Sequence, residues 1–166
     1  TSTIEYADNG IAKYLRDVAR GHTANLGTQI FYTAHGPFDT HFNQPPMHAR
    51  LWTEVSSAIS DFFDDLREHD AADNLVMMIF TEFGRRVRDN GTGTDHGAGG
   101  GAFIIGDNVK GGMYGTYPSL KPEDLNQGDL DPNYDFRGFY SSVIDQWLGL
   151  DPVPIVGGQF EQVQFV

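Results

Sequence analysis

Cysteine is absent from the 166-residue chain, which excludes a disulfide-stapled scaffold and any Cys-ligated zinc or iron-sulfur module. Lysine is scarce as well: Lys13, Lys110 and Lys121 stand beside eight Arg, and these 11 cations face 23 Asp plus Glu for a net charge of −12. A nucleic-acid or anionic-membrane surface depends on Lys and Arg neutralising phosphates, so the charge argues against both, and no nucleic-acid partner is expected. No apolar run approaches the roughly 18 residues of a membrane helix, so no membrane insertion is expected. The opening TSTIEYADNG lacks the basic-then-apolar layout of a signal peptide. A start at Thr1 rather than Met leads to the expectation of a processed or excised piece.

What is present suffices for a core. Hydrophobic residues make up 39% of the chain and aromatics 13%, against intrinsic disorder. The length fits one domain over residues 1–166, or a portion of a larger one. Asp outnumbers Glu by 17 to 6, a bias that fits a salty or secreted setting and fits drift equally well.

Residues 4–20 place Ile4, Ile11, Tyr14, Leu15 and Val18 at helical spacing. QIFYTA (29–34) reads as a short buried strand. Pro45 and Pro46 suit a first helical turn, and the segment to His69 then carries Leu51, Trp52, Val55, Ile59, Phe62, Phe63 and Leu66 on one face. LVMMIFTEFG (75–84) begins as a continuous apolar run of the kind that marks a strand covered on both faces. Strand, long helix, strand predicts a βαβ unit, hence an α/β fold with a parallel-rich sheet sandwiched by helices and functional loops beyond the carboxyl ends of its strands. A third apolar run, AFIIG (102–106), follows a Gly-rich stretch. Residues 135–150 return to helical periodicity with Asp135 as N-cap, and the tail QFEQVQFV reads as a strand closing the sheet edge.

Five side-chain groups carry possible chemistry. Asp39 and His41 are two apart in an extended segment, so their side chains project to one side and suit a shared cation; Asp and His in a Pro- and Gly-rich loop also cap turns. His35 either joins them or satisfies the loop backbone. Asp95 and His96 are adjacent, so a shared ion requires the backbone to curl, which the surrounding glycines from Gly91 to Gly101 permit. That loop lacks the phosphate-cradling patterns of nucleotide sites. Glu82 at a strand end is a candidate ligand or general base, and Arg85 a candidate oxyanion contact. His22, His48 and His69 read as structural.

The ordered set FDTH, TEFGRR, GTDHGAGGGAFIIG, VKGGMYGTYP and DFRGFYSSVIDQWLGL resembles the C-terminal half of a bacterial family of unknown function, DUF1501, which itself looks like part of the alkaline phosphatase and sulfatase superfamily. The resemblance runs from about Thr3 to the end, with TDHG and EFGR its most specific part. It implies an alkaline-phosphatase-like sandwich, seen here as the C-terminal part of the fold, with one or two divalent ions (zinc, manganese, magnesium or calcium) held by Asp and His. Asp95 and His96 match the pair whose ion activates a Ser or Thr nucleophile. Asp39 and His41 are the nearest match to a second pair, normally spaced D-x-x-x-H. The superfamily's later His has no counterpart after His96.

The resemblance further implies that the first strand and the nucleophile belong to an N-terminal half, supplied as a missing segment or by a second chain, with a homo-oligomer also open. Export is common in the resembling family, which implies a periplasmic or extracellular location. The functional expectation is a metal-dependent hydrolase of phosphate or sulfate esters, with Asp39, His41, Asp95 and His96 as ligands and Glu82 and Arg85 as catalytic groups. The rival expectation is a non-catalytic exported binding or assembly domain that kept the fold.

Overall fold

The computed structural model describes residues 2–166. Two compact units emerge, one formed by residues 2–75 with 90–94, the other by residues 76–89 with 95–166.

The first unit is built on two helices, α1 (Gly10–Thr23) and α2 (Gln44–Glu68), packed on one another. Asn9 starts α1, its side chain accepting the Ala12 N–H at 3.0 Å, which satisfies one of the unpaired donors of the first turn. α1 buries Ile11, Ala12, Leu15 and Ala19, with small alanines allowing close approach, while Tyr14 is turned outward. On α2, Pro45 and Pro46 occupy the first turn as expected. Leu51, Val55, Ala58, Phe62 and Leu66, three and four residues apart, form its buried stripe. Thr3 fastens the N-terminal segment to the far end of α2, its N–H and hydroxyl donating to Glu68 at 3.0 and 2.8 Å.

The second unit contains two small sheets. β1 (Met77–Ile79) pairs antiparallel with β4 (Phe103–Ile105), Met78 opposite Ile104. β2 (Gly84–Asp89) and β3 (Thr94–Gly97) form a second two-stranded antiparallel sheet; the turn joining them, with Thr94, groups with the first unit. Arg86 ties β2 to a tight turn by donating from Nε to Asp129 at 2.9 Å and from its guanidinium to Gln127 O at 3.1 Å. α3 (Phe136–Gln146) is capped by Asp135, which accepts the Arg137 N–H, and a short α4 (Val153–Val156) follows.

The expected parallel-rich sandwich, and with it the alkaline-phosphatase-like architecture, is therefore corrected. Residues 29–34 form no strand, and β1 finds an antiparallel neighbour rather than a parallel one across a helix. The physical reason is that a continuous apolar run reports how much of a strand prefers cover and carries no information on the direction of its partner. β1 is half-buried throughout, not covered on both faces. The tail is corrected too. Instead of closing a sheet edge it lies along α3, where Val163 N–H donates to Ser142 Oγ at 2.9 Å and Gln146 Nε2 to Val163 O at 2.7 Å. Gly138 is required there, since a Cβ would collide with the Glu161 carbonyl.

Candidate metal centre

In the first unit the alternation of an extended chain does what the D-x-H spacing predicts. Thr40 points inward and is 2% exposed, which turns its neighbours Asp39 and His41 outward together. Their side chains meet, with His41 Nε2 2.8 Å from Asp39 Oδ1. Both remain open to solvent, so a cation can reach them without a buried-charge penalty.

A turn from later in the chain braces this pair. Asn90 organises N-G-T-G: its Oδ1 accepts from Gly93 N–H at 2.9 Å, its own N–H donates to Gly93 O, and Gly91 takes φ 105°. Asn90 Nδ2 then donates to His41 O at 2.9 Å. Gln44 N–H donates to Thr92 O at 3.0 Å, and the Thr94 hydroxyl donates to Gln44 Oε1 at 3.0 Å. Gly93 lies so close that a Cβ would stand 2.6 Å from the His41 carbonyl carbon. The Asn-Gly signal at Asn90–Gly91 marks a turn, but nothing local in the sequence assigns Asn90, Thr94 or Gln44 to the site.

His35 does not join Asp39. Its Nε2 stands 3.3 Å from Glu54 Oε2, and its ring faces Phe38, which also packs edge-on against Trp52 and His48. The other three histidines serve structure: His22 Nε2 lies 2.8 Å from Asn74 Oδ1, His48 accepts from Trp52 Nε1, and His69 Nδ1 lies 2.8 Å from the Asp65 carbonyl.

In the second unit Asp95 and His96 lie on β3, both exposed. The expected curl around them is not the role of the glycines. Of the glycines between 91 and 101 only Gly91 takes a positive φ, and Gly97 and Gly99 instead admit close neighbours: a Cβ on Gly97 would meet the Arg85 backbone at 2.6 Å and one on Gly99 the Leu130 side chain at 2.6 Å. Adjacent residues of a strand face opposite ways. The His96 imidazole stacks on Phe83 at 3.8 Å, nearly parallel at 10°, which fixes its ring plane. Arg85 holds its guanidinium 5.0 Å from the same Phe83 ring. Glu82 is exposed in the link between β1 and β2.

The donor set suits a divalent ion. Carboxylate oxygens and imidazole nitrogens are the ligands that zinc and manganese take. Two ligand atoms each about 2.1 Å from a tetrahedral ion stand about 3.4 Å apart, so Asp39 and His41 need only a slight separation from their 2.8 Å contact. The chain belongs to the family described as "Protein of unknown function (DUF1501)", whose family model matches residues 8–152. No curated protein matches it, and no solved structure matches it.

Proposed function

We propose that this DUF1501 chain binds a divalent metal through Asp39 and His41, and that the bound metal serves hydrolysis of phosphate or sulfate esters. One observation carries the reading. The Asp39 and His41 side chains project together and meet at 2.8 Å, and the turn at residues 90–94 braces them through bonds to His41 and Gln44.

A bound divalent ion would supply Lewis-acid stabilisation of the developing oxyanion and lower the pKa of an attacking hydroxyl or water. Asp39 would contribute an anionic oxygen and His41 a neutral imidazole, with Asn90 holding the His41 backbone in place. In the second unit Arg85 carries a guanidinium of the kind that would hold the non-bridging oxygens of an ester, and Glu82 a carboxylate that would exchange a proton with a leaving alcohol. Hydrolysis adds water across the P–O or S–O bond and releases the alcohol and the inorganic anion.

The second reading is a binding or assembly domain, favoured by Asp39 and His41 already satisfying one another. Release of nitrophenol from aryl phosphate and aryl sulfate, assayed with added Mn2+ or Zn2+, separates the two. The hydrolase reading predicts metal-dependent turnover that Asp39→Asn abolishes. Metal binding without turnover leaves the binding-domain reading.

A further inference from the structure

The segment Thr28–Ala34 joins no sheet. From Phe31 to His35 its burial alternates, with Phe31, Thr33 and His35 half-buried and Tyr32 and Ala34 exposed, the period of an extended strand. Phe31 anchors it, its ring lying 3.3 Å from where a Cβ would stand on Gly21 of α1. On the opposite face Ile30 is 74% and Tyr32 79% exposed. Among the described residues no hydrogen bond to protein reaches the backbone of Thr28–Ala34.

The segment also lacks the devices that protect an edge. It has no Lys, Pro or Gly, and residues 21–38 contain no Asp, Glu, Lys or Arg, whereas exposed strands are normally blunted by charge, proline or bulges. Uncharged runs of β-branched and aromatic residues are strong β-pairing sequences.

We propose that Thr28–Ala34 is a dimerisation strand that pairs antiparallel with the same segment of a second copy of this chain, about a two-fold axis through Phe31. Two features of the segment select this occupant. Centred on Phe31, the pairing sets Ile30 opposite Tyr32 twice, a β-branched residue against an aromatic, and Gln29 opposite Thr33, so the strand is complementary to itself. Two chains of net charge −12 repel over most of their surfaces, and this charge-free stretch is a place where copies approach without opposing carboxylates. The inference stands apart from the metal site.

Sedimentation velocity from about 1 to 100 μM tests it. The wild-type chain is expected to shift from monomer to dimer across that range. Ile30→Lys with Tyr32→Lys puts like charges opposite each other twice and is expected to weaken the dimer about tenfold or more. Ile30→Lys with Tyr32→Glu makes opposite charges face each other in the centred register and is expected to dimerise more tightly than the double-lysine variant. Both sites are exposed, and circular dichroism checks that the helices are retained. A wild-type chain monomeric at 100 μM, or one that captures only a strand of another protein, overturns the proposal. So does a double-lysine variant that dimerises like the wild type, and a charge-swapped variant no tighter than the double-lysine one.

Discussion

Asp65 is 4% exposed on the inner side of α2, where a carboxylate without donors would be costly. Tyr6 donates its hydroxyl to Asp65 Oδ2 at 2.9 Å, and His69 Nδ1 lies 3.2 Å from Oδ1. Burial, reinforced by the bond to Asp65, pushes the Tyr6 phenol well above its usual value. A raised phenol pKa means that the folded state holds its proton more tightly than the unfolded chain. The stabilisation is complete below the unfolded value near 10 and is lost as pH rises beyond it. Tyr6→Phe is expected to cost roughly 1–3 kcal/mol at pH 7 in urea denaturation and to lessen the fall in stability above about pH 10. An unchanged midpoint would show that His69 alone satisfies the carboxylate.

Gly93 tests the brace on the metal pair at the same scale. A methyl 2.6 Å from the His41 carbonyl carbon forces the turn or the His41 backbone to move, so Gly93→Ala should destabilise the fold by about 1–3 kcal/mol. It should also weaken metal binding, whereas Gly10→Ala, at the start of α1 with nothing within 4 Å of an added Cβ, should do neither. Equal affinities for the Gly93→Ala and wild-type chains would detach the turn from the site.

Among the elements, the long helix was the most legible in the sequence. The apolar residues spaced three and four apart between Leu51 and Leu66 became its buried stripe, because helical periodicity is a direct image of one-sided burial. Phe62 is 1% exposed and packs edge-on to Phe63 at 5.4 Å, so Phe62→Ala should cost about 3–5 kcal/mol, read as a loss in chemical-denaturation midpoint. A loss below about 1 kcal/mol would place the core elsewhere. The N-cap of α3 was legible as well: Asp135 caps it, and the hydrogen bonds from Arg137 hold the Asp135 carboxyl down at about 2. The contribution of that carboxylate is present above the unfolded value and is lost only as pH falls toward about 2.

The strands were not legible to the same degree. QIFYTA has the composition of a strand and an extended course, yet becomes one only with a partner, and composition is silent on who that is. LVMMIF delivered a strand three residues long and half-buried, since the antiparallel pairing with Phe103–Ile105 was invisible in a pattern without alternation. At the candidate site, the outward projection of Asp39 with His41 followed from spacing alone. The bracing by Asn90, Thr94 and Gln44 joins residues about 50 apart in sequence, beyond the reach of local pattern.

At the scale of the whole molecule, 23 carboxylates against 11 cations make self-repulsion a general term in stability. Salt screens it, with a Debye length of about 10 Å at 0.1 M, so the thermal midpoint should rise between 10 and 150 mM NaCl; a fall would mean that ion pairs such as Arg86 with Asp129 outweigh the repulsion. No helix among the described residues is long and apolar enough to cross a membrane. The same acidity favours cation uptake, and a neutral imidazole is required for a nitrogen ligand.

The central claim, the proposed metal site on Asp39 and His41, is tested most directly by calorimetric titration of Zn2+ into the wild-type chain, Asp39→Ala and His41→Ala at pH 7.5. The account predicts saturable binding to the wild type, weakened about tenfold or more by either substitution. Saturable binding that either substitution leaves unchanged, or no saturable binding at all, would contradict it.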